Sequence, residues 1–181
     1  LPIEHVINQL RPLLAKYKVS AVKIGLIQLE QIQAVIASIP KGIPLIWDPI
    51  LSASAGFEFE NDLTNTSIDV LMAQVNVITP NLEEFEKLEL KGKALTNVLL
   101  KGGHQQNHKN DELILIDGSS VLIEGEVFDK PYQKHGTGCV LSSAIASNLA
   151  LGKSLENACI SVKKYVERVL RSNDGVLGHH S

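Results

Sequence analysis

Nowhere does this sequence reach the roughly 20 consecutive apolar residues of a membrane-spanning helix, and no leader of basic, apolar and small residues opens it. The expectation is a cytoplasmic protein with no membrane partner. Aromatic side chains make up only 4% of the chain, too few for the stacking platforms that hold single-stranded nucleic acid. Long basic runs are missing as well. Lys and Arg number 17 against 20 Asp and Glu, for a net charge of −3, which argues against nucleic acid as a partner. The two cysteines, Cys139 and Cys159, allow at most one disulfide, and free thiols are expected. Together with His104, His108 and His135 they show no paired short spacing of a zinc site. No internal repeat or low-complexity segment is visible.

What is present is apolar patterning: 44% of 181 residues, enough for one packed α/β domain over 1–181. Ile3, Val6, Ile7, Leu10, Leu13 and Leu14 recur at helical spacing between Pro2 and Lys18. Residue 1 is leucine and the chain opens directly in this pattern, so a start further upstream is expected. Ala21 to Ile27 reads as a strand, Leu29 to Ile39 as a helix stopped by Pro40, and Ile43 to Trp47 as a strand followed by Asp48-Pro49. After a loop from Leu51 to Asn61, Asp62 caps a helix to about Met72. Val75 to Thr79 is a strand, and Pro80-Asn81-Leu82-Glu83-Glu84 opens another helix. Asn97 to Leu100 forms a strand, and Leu113 to Ile116 with Val121 to Ile123 a hairpin at a sheet edge. A helix follows Cys139 to about Leu151, where Gly152 ends it, and Ser154 caps a last one to about Arg171. Strands alternating with amphipathic helices imply a mainly parallel sheet covered on both faces, with ligand chemistry at the carboxyl ends of the strands. Asp48, Thr79 and Asn81 fall at such ends.

The stretch Lys134-His135-Gly136-Thr137-Gly138-Cys139 ends a polar loop and runs into the apolar helix. Two glycines flanking a threonine let the backbone turn so that several N–H groups face one point, a place to hold an anion. Lys134 and His135 before it and a thiol after it point to phosphate handled beside a reactive side chain. In the first helical turn the dipole and nearby cations lower a thiol pKa below its usual value of about 8.5. Cys139 is then able to take a proton from an attacking hydroxyl, and a small cysteine packed against the helix is the other reading. Asn81 and Glu84, three apart, can face one side and hold Mg²⁺ directly or through water. The same spacing suits a capped helix whose acids oppose its dipole. Asp48 is a second oxygen donor, or simply an Asp-Pro turn. Lys101, where a strand gives way to two glycines, can approach phosphate oxygens, or is an exposed turn lysine. A magnesium site, a lysine and a glycine-lined helix start are the parts phosphoryl transfer needs.

From about Ala21 to Arg171 five marks occur in order: Val22-Lys23-Ile24-Gly25, Asp48-Pro49, Thr79-Pro80-Asn81-Leu82-Glu83-Glu84, Val98-Leu99-Leu100-Lys101-Gly102-Gly103-His104 and His135-Gly136-Thr137-Gly138-Cys139. In these the chain resembles the ribokinase-like kinases, and within them the hydroxymethylpyrimidine/phosphomethylpyrimidine kinases of thiamine biosynthesis. The resemblance implies a three-layer α/β/α sandwich that moves the γ-phosphate of ATP, with Mg²⁺, onto the hydroxymethyl group of 4-amino-5-hydroxymethyl-2-methylpyrimidine and its monophosphate. By position it makes Gly136, Thr137, Gly138 and Cys139 the anion hole and Cys139 the catalytic base, where sugar kinases of this fold place aspartate. Lys101 would contact ATP phosphates, Asp48 and Glu84 would organise the metal, and Leu26, often methionine in the family, would face the substrate ring.

The resemblance also implies further strands and a glycine-rich segment before the region matching Leu1, which supply much of the substrate pocket. The segment Lys87 to Thr96 is shorter than the family's helix, and Gly178-His179-His180 lacks the fuller histidine and glycine ending. The two terminal histidines are either native or part of a tag. A pyridoxal kinase of the same fold and a non-catalytic nucleotide-binding remnant are the alternatives. A homodimer is expected by analogy, since the outer helices of such sandwiches often pair across subunits.

Overall fold

A computed structural model describes residues 2–51, 65–102, 109–128 and 134–180, the side chains of residues 29, 30 and 65–67 excepted. The first helix, α1 (Ile3–Lys16), lays Ile3, Val6, Ile7 and Leu10 against the core but turns Leu13 outward, 52% exposed. Its stripe is therefore narrower than the spacing suggests. It packs on α2 (Leu29–Ser38). The remaining elements are β1 (Val22–Ile24), β2 (Leu45–Trp47), α3 (Asn65–Met72), β3 (Val77–Ile78), α4 (Leu82–Lys87), β4 (Asn97–Leu100), β5 (Asp111–Ile114), β6 (Ser120–Ile123), α5 (Thr137–Ala150) and α6 (Leu155–Arg171). The expected cap Asp62 and most of the loop Leu51 to Asn61 lie outside the described residues.

Among the described residues the six strands form one sheet in the order β1-β2-β3-β4-β5-β6. The first four are parallel and the β5/β6 hairpin closes the edge antiparallel. That hairpin starts two residues earlier than its apolar run, because Leu115 to Ser119 make the turn with Gly118 at φ +86°. Strand alternation splits the core into two layers. Ile24, Trp47, Ile78 and Val98 stand in register across the sheet and pack with Ile32, Leu71, Met72 and Leu88 on one face. Ile46, Val77, Leu99 and Leu113 pack against Leu141 and Ile145 of α5 and Val162 and Val166 of α6 on the other. Each fully buried aliphatic side chain contributes about 1.5–3 kcal/mol. The fold is the expected α/β/α sandwich with a mainly parallel sheet.

Register also brings the strand ends level. Asp48 N–H bonds to Ile24 O at 2.9 Å, Thr79 N–H to Trp47 O at 3.0 Å, and Asn81 and Lys101 form an isolated parallel bridge. Residues 48, 79, 81 and 101 thus meet along one edge of the molecule, facing the start of α5.

Candidate active site

Asp48 is the hub of that edge, 1% exposed at the end of β2. Its Oδ1 accepts from Thr79 Oγ1 at 3.1 Å and Lys101 Nζ at 3.2 Å. Its Oδ2 accepts from Ser142 Oγ of α5 at 3.1 Å and lies 3.4 Å from Lys23 Nζ of β1. Burial works against its ionisation, but the Lys101 and Lys23 ammoniums and the hydrogen bonds from Lys101 and Ser142 outweigh it, holding the carboxyl below its ordinary value. One carboxylate at the end of β2 therefore ties β1 and the ends of β3 and β4 to α5.

Lys101 Nζ stands between the carboxylates, 3.2 Å from Asp48 and 3.9 Å from Glu84 Oε2. Asn81 and Glu84 form a complete capping box: Asn81 Oδ1 accepts from Glu84 N and Glu84 Oε2 from Asn81 N, both at 2.8 Å. Burial raises the Glu84 carboxyl above its usual value, only partly countered by the Asn81 N–H and Lys101. The Asn81 and Glu84 side chains thus cap the helix, and Glu84 and Asp48 are the carboxylates nearest the Lys101 ammonium. Hard oxygen donors suit Mg²⁺, which keeps several of its waters. Both Asp48 oxygens already accept hydrogen bonds or ion pairs, while the Glu84 contacts all run through Oε2. The set would suit a hydrated ion, held by Glu84 or by Asp48 through water, rather than a dry cage. Asn81→Ala is expected to cost about 1 kcal/mol of stability, read from urea denaturation, and Asn81→Ser to recover most of it. An Asn81→Ser protein no more stable than Asn81→Ala would deny the capping role.

The turn into α5 has the expected backbone. Gly136 is left-handed, φ +78°, and caps a helix that begins at Thr137, with Val140 N–H bonding to Gly136 O at 2.9 Å. A Cβ on Gly138 would stand 3.4 Å from Lys101 Nζ, so the ammonium reaches the first turn of the helix. Cys139 is exposed and closes one end of a groove of about 700 Å³ between α5 and α6. Leu26, beyond the end of β1, is 55% exposed. Gly103 and His104 lie outside the described residues. One expectation is corrected: Lys134 does not face the anion turn. Its ammonium is buried and donates to Asn173 O at 2.8 Å, Asn173 Oδ1 at 2.9 Å and Gly175 O at 2.8 Å, all beyond the end of α6.

A model of the phosphomethylpyrimidine kinase family matches residues 1–181. The chain belongs to that family. It is 26% identical to the hydroxymethylpyrimidine/phosphomethylpyrimidine kinase of Haemophilus influenzae, over 92% of this chain and 70% of that one. It is 29% identical to a probable thiamine biosynthetic bifunctional enzyme of rice, over 99% of this chain but only 37% of the relative. In structure it is similar to the pyridoxal kinase of Staphylococcus aureus in complex with ADP, with a TM-score of 0.73 at 23% identity, covering 100% of this chain and 74% of that one. At that identity the likeness is one of fold.

In this member of the phosphomethylpyrimidine kinase family, two polar residues of the hub carry no role in the sequence reading. Lys23 interrupts the apolar run of β1, and Ser142 is a hydroxyl on the buried face of an apolar helix, 0% exposed. Those interruptions were the available signals. Both cysteines are free, but they differ in kind. Cys159 is buried in α6, and burial, with Asp111 nearby, pushes its thiol up to about 12. Iodoacetamide at pH 8 is expected to label Cys139 in the folded protein and leave Cys159 untouched until denaturant is added, as peptide mass mapping will read. Equal labelling of both would contradict the burial.

Proposed function

We propose that the chain carries the phosphoryl-transfer machinery of an ATP-dependent kinase of 4-amino-5-hydroxymethyl-2-methylpyrimidine and its monophosphate, acting in the cytoplasm as a homodimer. The carrying observation is the convergence of Lys101 Nζ on Asp48, Glu84 and Gly138. A cation and a helix start meeting at one point suit a transferring phosphoryl group, whose loose transition state asks mainly for positioning and charge neutralisation. In this reading the first turn of α5 and Lys101 receive the γ-phosphate and balance the charge that develops on it. Cys139 Sγ takes the proton of the substrate hydroxymethyl group, the hydroxyl oxygen bonds to the γ-phosphorus, and ADP leaves. Magnesium, when bound at Glu84, supplies further charge neutralisation of the phosphates. Leu26 meets the pyrimidine ring from the β1 side.

The test is turnover by the protein containing this chain, with ATP and either the hydroxymethylpyrimidine, its monophosphate or pyridoxal, followed by ADP release. Phosphorylation of the pyrimidine and its monophosphate supports the reading. Use of pyridoxal alone assigns the other acceptor, and ADP binding without turnover of any acceptor assigns a nucleotide-binding remnant. Light scattering at twice the protomer mass supports the dimer, and a monomer rejects it.

A further inference from the structure

The buried Lys134 raises a question that phosphate binding does not answer. A lysine almost out of water requires partners, and this one has three oxygens, two backbone carbonyls and one amide oxygen, within 2.9 Å. All three belong to residues 173–175, just past the last turn of α6. A cation there also suits the negative end of the helix dipole. The next residue continues the connection, with His135 N–H bonding to Val176 O at 2.9 Å. Asn173 Oδ1 in turn accepts from Gly175 N at 2.8 Å, and His179 N donates to Ser172 Oγ at 2.7 Å. Gly178 approaches so closely that a Cβ there would stand 2.8 Å from Val169 O and 3.2 Å from Lys134 Cδ. The C-terminal segment is therefore knotted to residues 134 and 135, immediately ahead of the left-handed Gly136.

We propose that Lys134 is a positioning residue, which clamps the approach to Gly136 onto the end of α6 and so fixes the aim of the α5 amides that receive phosphate. Gly136 has no side chain to cap α5 and is free to rotate in ways other residues are not. A turn built on glycine needs its flank held from outside if its N–H groups are to keep one direction. The covering helix and tail supply that hold on one side through Lys134, as Ser142 and Asp48 do from the sheet side. This inference rests on the functional reading above for its phosphate, but not for its mechanics.

The experiment compares the wild-type protein with Lys134→Met, which keeps the stem and removes the donor, Lys134→Arg, which restores a cation, and Asn173→Ala, which removes one of the three acceptors. Hydrogen exchange at the amides of residues 136–140 is read alongside the affinity for AMP-PCP, an ATP analogue that keeps the γ-phosphate, by calorimetry, at a temperature where circular dichroism shows each variant folded. Lys134→Met is expected to exchange faster at 136–140 than wild type, with β2 and the centre of α6 unchanged, and to bind AMP-PCP roughly tenfold more weakly. That is less than the ~10²-fold loss of a group displaced by about 1 Å. Lys134→Arg recovers part of both, and Asn173→Ala lies between. Unchanged exchange at 136–140 in a folded Lys134→Met protein overturns the proposal, and so does faster exchange with undiminished AMP-PCP affinity. Wild-type protein that binds no AMP-PCP defeats the functional reading instead, while the exchange measurements still decide whether Lys134 holds the turn.

Discussion

Cys139→Ala is expected to lower kcat for the hydroxymethylpyrimidine by ~10²–10⁴-fold, the usual worth of a general base, with ADP affinity within a factor of about two of wild type. The two quantities separate because of where the thiol stands. Cys139 is the third residue of α5, exposed, while the contacts that would hold phosphate come from its neighbours: Gly138, against Lys101, and the turn at Gly136. Removing the sulfur leaves the helix start and Lys101 in place and deletes only the proposed proton acceptor. Serine is no substitute, since its hydroxyl is a far weaker base. Aspartate is the informative replacement, because sugar kinases with the resembling fold carry it there, and Cys139→Asp should regain part of the lost rate. Steady-state kinetics of ADP release, with calorimetry for ADP, measure both numbers. Wild-type kcat in the alanine variant would remove the thiol from the mechanism.

The strand ends could be read from the sequence because a buried parallel strand is a short apolar run and the polar residue after it is conspicuous, as Asp48 is after Leu45 to Trp47. The capping box was legible as a spacing but not as a choice. Asn81 and Glu84 three apart suit both a metal site and a helix start, and the two 2.8 Å bonds between them show the cap. Proline was an uneven guide: Pro40 follows the end of α2, while Pro12 sits inside α1 without ending it. The hub itself was largely hidden, because its members lie far apart in the chain. Ser142 is 94 residues from the carboxylate it serves, and its place on the buried face of α5 is the one local signal that sets it apart from the other serines of that helix. Lys134 was misjudged for the related reason that a lysine beside an anion turn looks like an anion ligand. Its partners 39 and 41 residues later become visible only once α6 has folded back.

Asp48→Asn is expected to cost about 3 kcal/mol of folding stability at pH 7, the lower end for breaking a buried ion pair from one side, and to weaken nucleotide binding as well. The amide keeps one acceptor oxygen but presents two N–H donors to a ring that is otherwise all donors: Lys23, Lys101, Thr79 and Ser142. Two ammoniums, each on a side chain only 16% exposed, then lose their shared counter-ion, and among the described residues Lys101 keeps only Glu84 at 3.9 Å. Lys23→Met in the same background removes one of them and should return part of the loss, a coupling that a double-mutant cycle isolates. The pH dependence gives the sign independently. The folded carboxyl of Asp48 lies below its ordinary value of 3.8, so the stability it adds is fully present above that value and is lost as pH falls through the depressed one. Glu84 runs the other way, its raised carboxyl adding stability below its ordinary 4.5 that is lost as pH rises through the raised value. It is present in both proteins, and removing the Asp48 charge lowers its pKa slightly. The gap between wild type and Asp48→Asn should therefore be widest near neutrality and narrow on acidification below pH 3.8, as urea denaturation across that range will measure. A gap that stays constant with pH would mean that the loss comes from packing and not from the charge of Asp48.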